Sequence, residues 1–234
     1  MLIAILAGSL GASIRAEAND ATKQLMHVTK FVLPEYPLAL RSHGVPEGEV
    51  LMAINYDANG RVIDALALEA TRPEFAESAI EAVNEWRFEP LTEGRQARAP
   101  LVRFIFKSTG VFLSSGAERK TQNRHIQGVP SVMGYQTITF EELDNVPKPL
   151  NKPMPALPES LRAHPSDAQA RVAFFVDEKG HVRVPWVTAA STPEFGDLAI
   201  QSVTQWRYEP PRRNGQPVVA YETLNFKFGA SARP

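Results

Sequence analysis

One motif occurs twice in this chain at a fixed separation, and nothing else in the sequence narrows the fold as much. Residues 73–90 read Pro-Glu-Phe-Ala-Glu-Ser-Ala-Ile-Glu-Ala-Val-Asn-Glu-Trp-Arg-Phe-Glu-Pro. Residues 193–210 read Pro-Glu-Phe-Gly-Asp-Leu-Ala-Ile-Gln-Ser-Val-Thr-Gln-Trp-Arg-Tyr-Glu-Pro. Ten of the eighteen positions are identical, all 120 residues apart, and the match extends upstream from Asp57-Ala-Asn-Gly60 to Asp177-Glu-Lys-Gly180. That period is too long for a solenoid unit and is the size of a small domain. The chain is therefore a tandem duplication of one fold.

Each copy has the same local grammar. Val50, Met52, Ile54 and Tyr56 alternate along one face, as Ala170, Val172, Phe174 and Val176 do in the second copy; period-2 alternation marks a half-buried strand. Asp57-Ala-Asn-Gly60 and Asp177-Glu-Lys-Gly180 are turns, with glycine supplying the left-handed backbone that closes a hairpin. The returning strand is expected to turn Val62, Leu66 and Leu68 inward, or Val182, Val184 and Trp186. A helix then opens at Pro73-Glu74, where proline fits an early turn and the acid faces the positive helix end. Phe75, Ala79, Ile80, Val83 and Trp86 form its apolar stripe, and Pro90 forbids continuation. A glycine turn (Gly94, Gly215) leads to a last strand, residues 101–107 and 221–228.

This order sets the topology. A helix between strands two and three returns the chain, so in an antiparallel sheet strand three must lie beside strand one, giving the order 2-1-3. Pro185 fits, because proline inside strand two requires an edge or a bulge. Strand three is then an edge as well. In the first copy it is long and apolar, and an uncovered edge of that kind accepts another strand. The competing reading is closure of each edge by the linker, by the other repeat, or by a second chain in a homodimer.

With 44% hydrophobic and 22% charged residues the composition is that of a globular protein, and a net charge of −1 gives no electrostatic case for nucleic acid. The absence of cysteine excludes disulfides, thiol catalysis and a lipoprotein anchor. Residues 2–14 are apolar and small and precede Ala16-Glu17-Ala18, an A-x-A cleavage pattern, so residues 1–18 read as a signal peptide. Thirteen residues are too few to span a bilayer, which needs about 20; a membrane anchor would require a start upstream of Met1. Residues 108–133 are rich in Ser, Gly, Gln and Asn and read as linker, residues 138–143 as a short ordered lead-in, and Pro147, Pro149, Pro153, Pro155 and Pro158 as a stiff approach to the second copy.

Tyr36-Pro37, a short helix with Arg41, Gly48-Glu-Val50, Asp57-x-x-Gly60-Arg-Val62, Trp86-Arg-Phe-Glu-Pro90 and Gly94 before an apolar strand resemble, in that order, the TonB C-terminal domain. The second copy has Leu157-Pro158 in place of Tyr36-Pro37, and Ala168 in place of Gly48. The resemblance covers residues 31–108 and 145–229, with 109–144 as linker. It implies an α+β architecture, two copies of a small domain that each pack a three-stranded antiparallel sheet on two helices. It further implies a periplasmic protein whose final strands pair with the TonB box of outer-membrane transporters, within TonB-dependent transport. The implied partner-binding positions are Leu101, Val102, Arg103, Phe104, Ile105 and Phe106 in copy one, and Tyr221, Thr223, Leu224 and Phe226 in copy two, with Tyr36 and Pro37 nearby. Copy one is favoured because it keeps Tyr36-Pro37. The second, with Glu222 and Asn225 in its last strand and Pro185 in strand two, looks like a partner held in place. Energy transducers of the family also carry an N-terminal membrane helix and a long proline-rich spacer, which this sequence does not show. The alternative is a structural scaffold or dimerisation protein without energy coupling.

No phosphate loop, Gly-x-Ser-x-Gly or His-Glu-x-x-His is present, so the expectation is no enzyme, no cofactor and no small-molecule substrate. Asp57, Asn59 and Asp177 are turn residues rather than a calcium loop, whose twelfth position would be Leu68. His43 and His164 lack partners at metal spacing, so no metal is expected.

Overall fold

The alternation around Val50 and Ala170 is realised as a pair of antiparallel hairpins in a computed structural model. It describes residues 2–3, 27–91, 101–107, 110–115, 131–132, 135–136, 138–154, 157–162 and 168–228. The signal-peptide reading (beyond Leu2–Ile3), Gly94 and His164 lie outside the described residues. The chain divides into two units, Met1–Tyr135 and Gln136–Pro234.

Unit 1 runs β1 (Val28–Lys30), α1 (Leu38–Ser42), β2 (Glu47–Tyr56), β3 (Val62–Ala70), α2 (Pro73–Asn84), β4 (Arg87–Phe88), β5 (Leu101–Lys107) and β6 (Gly110–Ser115). Its sheet has the order β6-β5-β2-β3, and Leu2–Ile3 pairs with the far side of β6. The expected 2-1-3 arrangement is present as β3-β2-β5. Helix α2 lays Phe75, Ala79 and Val83 on the sheet, and these join Val50, Met52, Ile54, Trp86, Phe104 and Phe106 in one core.

Unit 2 repeats the pattern. It comprises β7 (Pro149–Asn151), α3 (Glu159–Arg162), β8 (Gln169–Val176), β9 (Val182–Ala190), α4 (Pro193–Val203), β10 (Arg207–Tyr208), β11 (Arg212–Arg213), β12 (Gln216–Pro217) and β13 (Ala220–Lys227). Its main sheet has the order β9-β8-β13. Both units are thus antiparallel sheets packed on helices, as the duplication requires.

Within each unit the turn motif and the Trp-Arg-aromatic motif meet in space. Asp57 Oδ1 accepts from the Asn59 and Arg61 amides at 2.9 and 2.8 Å, and Asp177 does the same for Lys179 and His181. Gly60 and Gly180 take φ of +78° and +82°, and a Cβ on either would lie 2.0 Å from the carbonyl oxygen of Phe88 or Tyr208. The Phe88 and Tyr208 amides donate to those glycine carbonyls at 2.8 and 2.9 Å. The Trp-Arg-aromatic segment is therefore the cradle on which the hairpin turn rests.

Three inward assignments are corrected. The register steps from Tyr56↔Val62 to Asn55↔Asp64, leaving Ile63 as a bulge, with a second shift between Leu51 and Met52. After such a bulge every later side chain changes face. Ala65 and Ala67, not Leu66 and Leu68, consequently pack on the helix side. In unit 2 a bulge between Ala173 and Phe175 coincides with Val184 at φ +47° beside Pro185. Trp186 is thereby placed with Phe175 and Tyr221, ring centroids 5.8 and 6.0 Å away, outside the helix-side core.

The linker reading is also corrected. Gly110–Ser115 is a strand of unit 1, although the sequence alone reads 109–144 as spacer. Its polar surroundings conceal the apolar run Val111-Phe112-Leu113. The lead-in at residues 138–143 is a 3-10 turn, Phe140–Glu142, with a capping box from Thr139 to Glu142, and Phe140 enters the core of unit 2. The proline-rich approach contributes β7, which pairs with β10 as β1 pairs with β4.

Candidate strand-addition site

The two final strands differ in what lies beside them. In unit 1 the outer side of β5 is taken by β6 along its length, from Val102↔Ser115 to Lys107↔Gly110. Leu101, Val102, Phe104 and Phe106 are buried and Ile105 is half-buried. Arg103 is 5% exposed; its guanidinium reaches Glu49 at 3.2 Å and Glu69 at 3.5 Å. The expectation that this strand is an open edge is overturned, because the chain's own next segment supplies the missing ladder.

Tyr36 is likewise a core residue. Its hydroxyl donates to the Val45 carbonyl, and its ring meets Phe75 and Phe106 edge-on at 5.4 and 6.5 Å, with Arg41 stacked 5.5 Å from its centroid. Pro37 is the N-cap of α1 and half-buried. Tyr-Pro thus anchors the first helix to the sheet.

In unit 2 the inner side of β13 pairs with β8 from Gln169↔Lys227 to Val176↔Ala220. The Phe228 amide donates to Ala168 on the inner side at 2.9 Å, and the Tyr221 amide donates outward to Ile138 at 2.7 Å. Alternation along a strand then turns the backbone groups of Tyr221, Thr223, Asn225 and Lys227 outward. Two of the four are occupied. Ile138 holds Tyr221, beside a parallel bridge between Thr139 and Tyr221. The Glu222 carboxylate curls round to accept from the Thr223 amide at 2.7 Å. Among the described residues no strand pairs with Asn225 and Lys227 on that side. The side chains of Tyr221, Thr223 and Leu224 are half-buried and Phe226 is buried. Among the described residues it is therefore the second copy, read as a partner held in place, whose final strand has outward positions that no strand pairs with.

Of the candidate residues on this edge, the sequence reading leaves Lys227 out and takes Glu222 and Asn225 as marks of a held partner, not as binding positions. Their signal is the polar set Thr223, Asn225 and Lys227 alternating with Leu224 and Phe226, the pattern of a strand with one wet face. Burial raises the Glu222 pKa; the Thr223 amide works against that rise, and Glu141 adds to it. Asn225 accepts from Arg171 Nε at 2.8 Å across the sheet.

Elsewhere, a cavity of about 390 Å³ is lined by His181, Val182, Arg183, Thr204, Gln205, Trp206 and Arg207. Its His181 and Arg183 both pair with the turn residue Asp177, at 3.1 and 3.5 Å. Among the described residues no group of three His, Asp or Glu side chains is placed to hold a metal, and no helix is long and apolar enough to cross a membrane.

The family described as Gram-negative bacterial TonB protein C-terminal matches residues 32–108 and again 153–229. Among solved structures, the chain is similar to the TonB C-terminal domain of Pseudomonas aeruginosa determined by solution NMR. The two are 25% identical, the match covering 38% of this chain and 90% of that one with a TM-score of 0.32. No curated protein sequence matches.

Proposed function

The chain belongs to the TonB C-terminal family, in two copies, and on that footing we propose that it is a periplasmic binding protein for TonB-dependent outer-membrane transporters. An extended transporter peptide adds to the outer edge of Ala220–Lys227. The observation that carries this reading is the contrast between the units: β5 is paired with β6, whereas among the described residues no strand pairs with the outer side of β13 beyond Tyr221. Strand addition draws affinity from main-chain hydrogen bonds and selectivity from alternate side chains. The amide and carbonyl of Asn225 and Lys227 supply four such groups. At about 1 kcal/mol net per bond these alone give weak, rapidly exchanging binding, so side-chain burial must add the rest. Unit 1, with its edge filled, takes the structural role.

The test is titration of the isotope-labelled chain with an N-terminal transporter peptide containing a TonB box. Saturable amide shifts centred on Asn225 and Lys227 are expected. Lys227→Pro removes one outward amide at a position where edge strands tolerate proline, and should abolish the shifts. Ile105→Pro, which disturbs only the β5–β6 ladder, should leave them intact. The reverse pattern would move binding to unit 1 and defeat the proposal.

A further inference from the structure

The cavity of unit 2 lies between the start of β9 and the segment that leaves α4, and it encloses about 390 Å³. β9 is the strand farthest from β13 in its sheet, so the cavity is separate from the edge discussed above. Its charged lining is cationic: His181 and Arg183 come from the hairpin and Arg207 from β10. Asp177, the carboxylate that pairs with the first two, is already engaged on both oxygens. Oδ1 accepts from the Lys179 and His181 amides, while Oδ2 meets His181 Nδ1 at 3.1 Å and Arg183 Nη1 at 3.5 Å. These contacts fix His181 and Arg183 at the rim. Among the described residues no acceptor meets the Arg207 guanidinium. Thr204 Oγ1 and Gln205 Nε2 donate to the Ile200 and Gln201 carbonyls at 2.7 and 3.0 Å. Two carbonyls at the negative end of α4 are thereby satisfied from within the chain, which weakens their opposition to an anion.

The duplication supplies a reference, because each of these residues has a counterpart 120 positions earlier. Glu85 stands for Gln205 and pairs with Lys30 at 3.1 Å. Arg87 stands for Arg207, but its Nη1 donates to the Trp86 carbonyl at 2.6 Å and the Asn84 carbonyl at 3.5 Å. Ile63 is bulged, whereas Arg183 stays in register opposite Phe175. An anion beside Arg87 would meet the Glu85 carboxylate and a guanidinium already held by carbonyls. Beside Arg207 it meets neither. The fold does not require these differences, since unit 1 is built without them.

We infer that the cavity binds the phosphate group of a small molecule or a lipid headgroup through His181, Arg183 and Arg207. Guanidinium groups offer donors only, in a planar fork that matches phosphate oxygens. The donors arrive from two segments, the hairpin and β10. A tetrahedral oxyanion accepts from each on a different oxygen, whereas one fork satisfies a planar carboxylate. Small-molecule pockets span about 300–1,000 Å³, and this cavity falls at the lower end of that range.

The full isotope-labelled chain is titrated with inorganic phosphate and with glycerol 3-phosphate at constant ionic strength, with chloride as the control. It is mixed separately with phosphatidylglycerol vesicles, phosphatidylcholine vesicles serving as the neutral reference. Saturable amide shifts are expected at Arg183, Gln205 and Arg207, and none at Ile63, Glu85 and Arg87. Arg207→Gln should weaken binding about 10- to 100-fold, the loss of one hydrogen bond to a charged group. Arg183→Ile and Gln205→Glu install the residues that unit 1 carries at those positions, and each should weaken binding without unfolding unit 2. Saturation by glycerol 3-phosphate identifies a soluble ligand. Binding to phosphatidylglycerol vesicles alone, lost in Arg207→Gln, identifies a headgroup. Absence of binding to every probe overturns the inference, as do shifts that never saturate, that appear equally in unit 1, or that survive both Arg207→Gln and Gln205→Glu. None of these results bears on strand addition at β13.

Discussion

Gly60→Ala tests whether hairpin and Trp-Arg-Phe segment are held together by the close approach seen here. Gly60 sits at φ +78°, and an added Cβ would lie 2.0 Å from the Phe88 oxygen and 2.7 Å from its carbonyl carbon. Left-handed placement of a residue with a side chain costs about 1–2 kcal/mol. Relieving the clash must also push β4 away, which breaks the 2.8 Å bond from the Phe88 amide to the Gly60 carbonyl. A lost bond between poorly solvated groups adds about 1–3 kcal/mol, so the whole effect is about 3 kcal/mol. Gly44→Ala is the matched control: its φ is +67°, and an added methyl would meet nothing within 4 Å. Only the conformational part, about 1–2 kcal/mol, applies there. Urea unfolding followed by the amide signals of Val50 and Met52 reports unit 1, and those of Val172 and Phe174 report unit 2. Gly60→Ala should lower the unit 1 midpoint well beyond Gly44→Ala and leave unit 2 in place. Equal effects of the two substitutions would refute the cradle.

Other consequences are as direct. A methyl at Gly48 would lie 2.1 Å from the Phe75 ring, so Gly48→Ala should destabilise unit 1 by about 1–3 kcal/mol through overpacking, measured by the same urea titration. Trp86→Phe removes the 2.7 Å bond from Nε1 to the Val32 carbonyl and should cost about 1–3 kcal/mol by leaving that acceptor without its donor. Glu222→Gln probes the edge cap. Burial raises the Glu222 pKa in the folded state, so its contribution to stability is fully present below the unfolded carboxylate pKa and is lost as pH rises through the folded value. The glutamine variant should therefore be more stable than the parent at pH 7 and indistinguishable from it in acid, as thermal unfolding at both pH values will show.

The repeated elements were legible because each is encoded locally: alternation for the strands, Asp-x-x-Gly for the turns, Pro-Glu and the apolar stripe for α2 and α4. How those elements meet was not. Gly60 reads as a turn glycine, but its second constraint, the Phe88 carbonyl, comes from 28 residues away in the chain. The bulges at Ile63 and Val184 move Leu66, Leu68 and Trp186 to different surroundings, since one inserted residue reverses the parity on which every later assignment depends. The family resemblance puts Tyr36 among the partner-binding positions, yet its hydroxyl finds the Val45 carbonyl and its ring the core. Most consequential is Gly110–Ser115. A three-residue apolar run in a polar stretch carries little weight alone, and becomes a strand when Phe104 and Phe106 offer it an edge. The same reasoning that identifies strand three as an edge thus points to the copy whose edge is already filled.

Amide hydrogen exchange on the free chain tests the central claim most directly, because it asks which final strand is open before any partner is added. Arg103 and Ile105, whose outward groups pair with β6, should be protected to a degree similar to Met52. Asn225 and Lys227 should exchange far faster than Leu224 and Phe226, whose amides face β8. Strong protection of Asn225 and Lys227 in the free chain would mean that the edge is already filled, and would contradict the account.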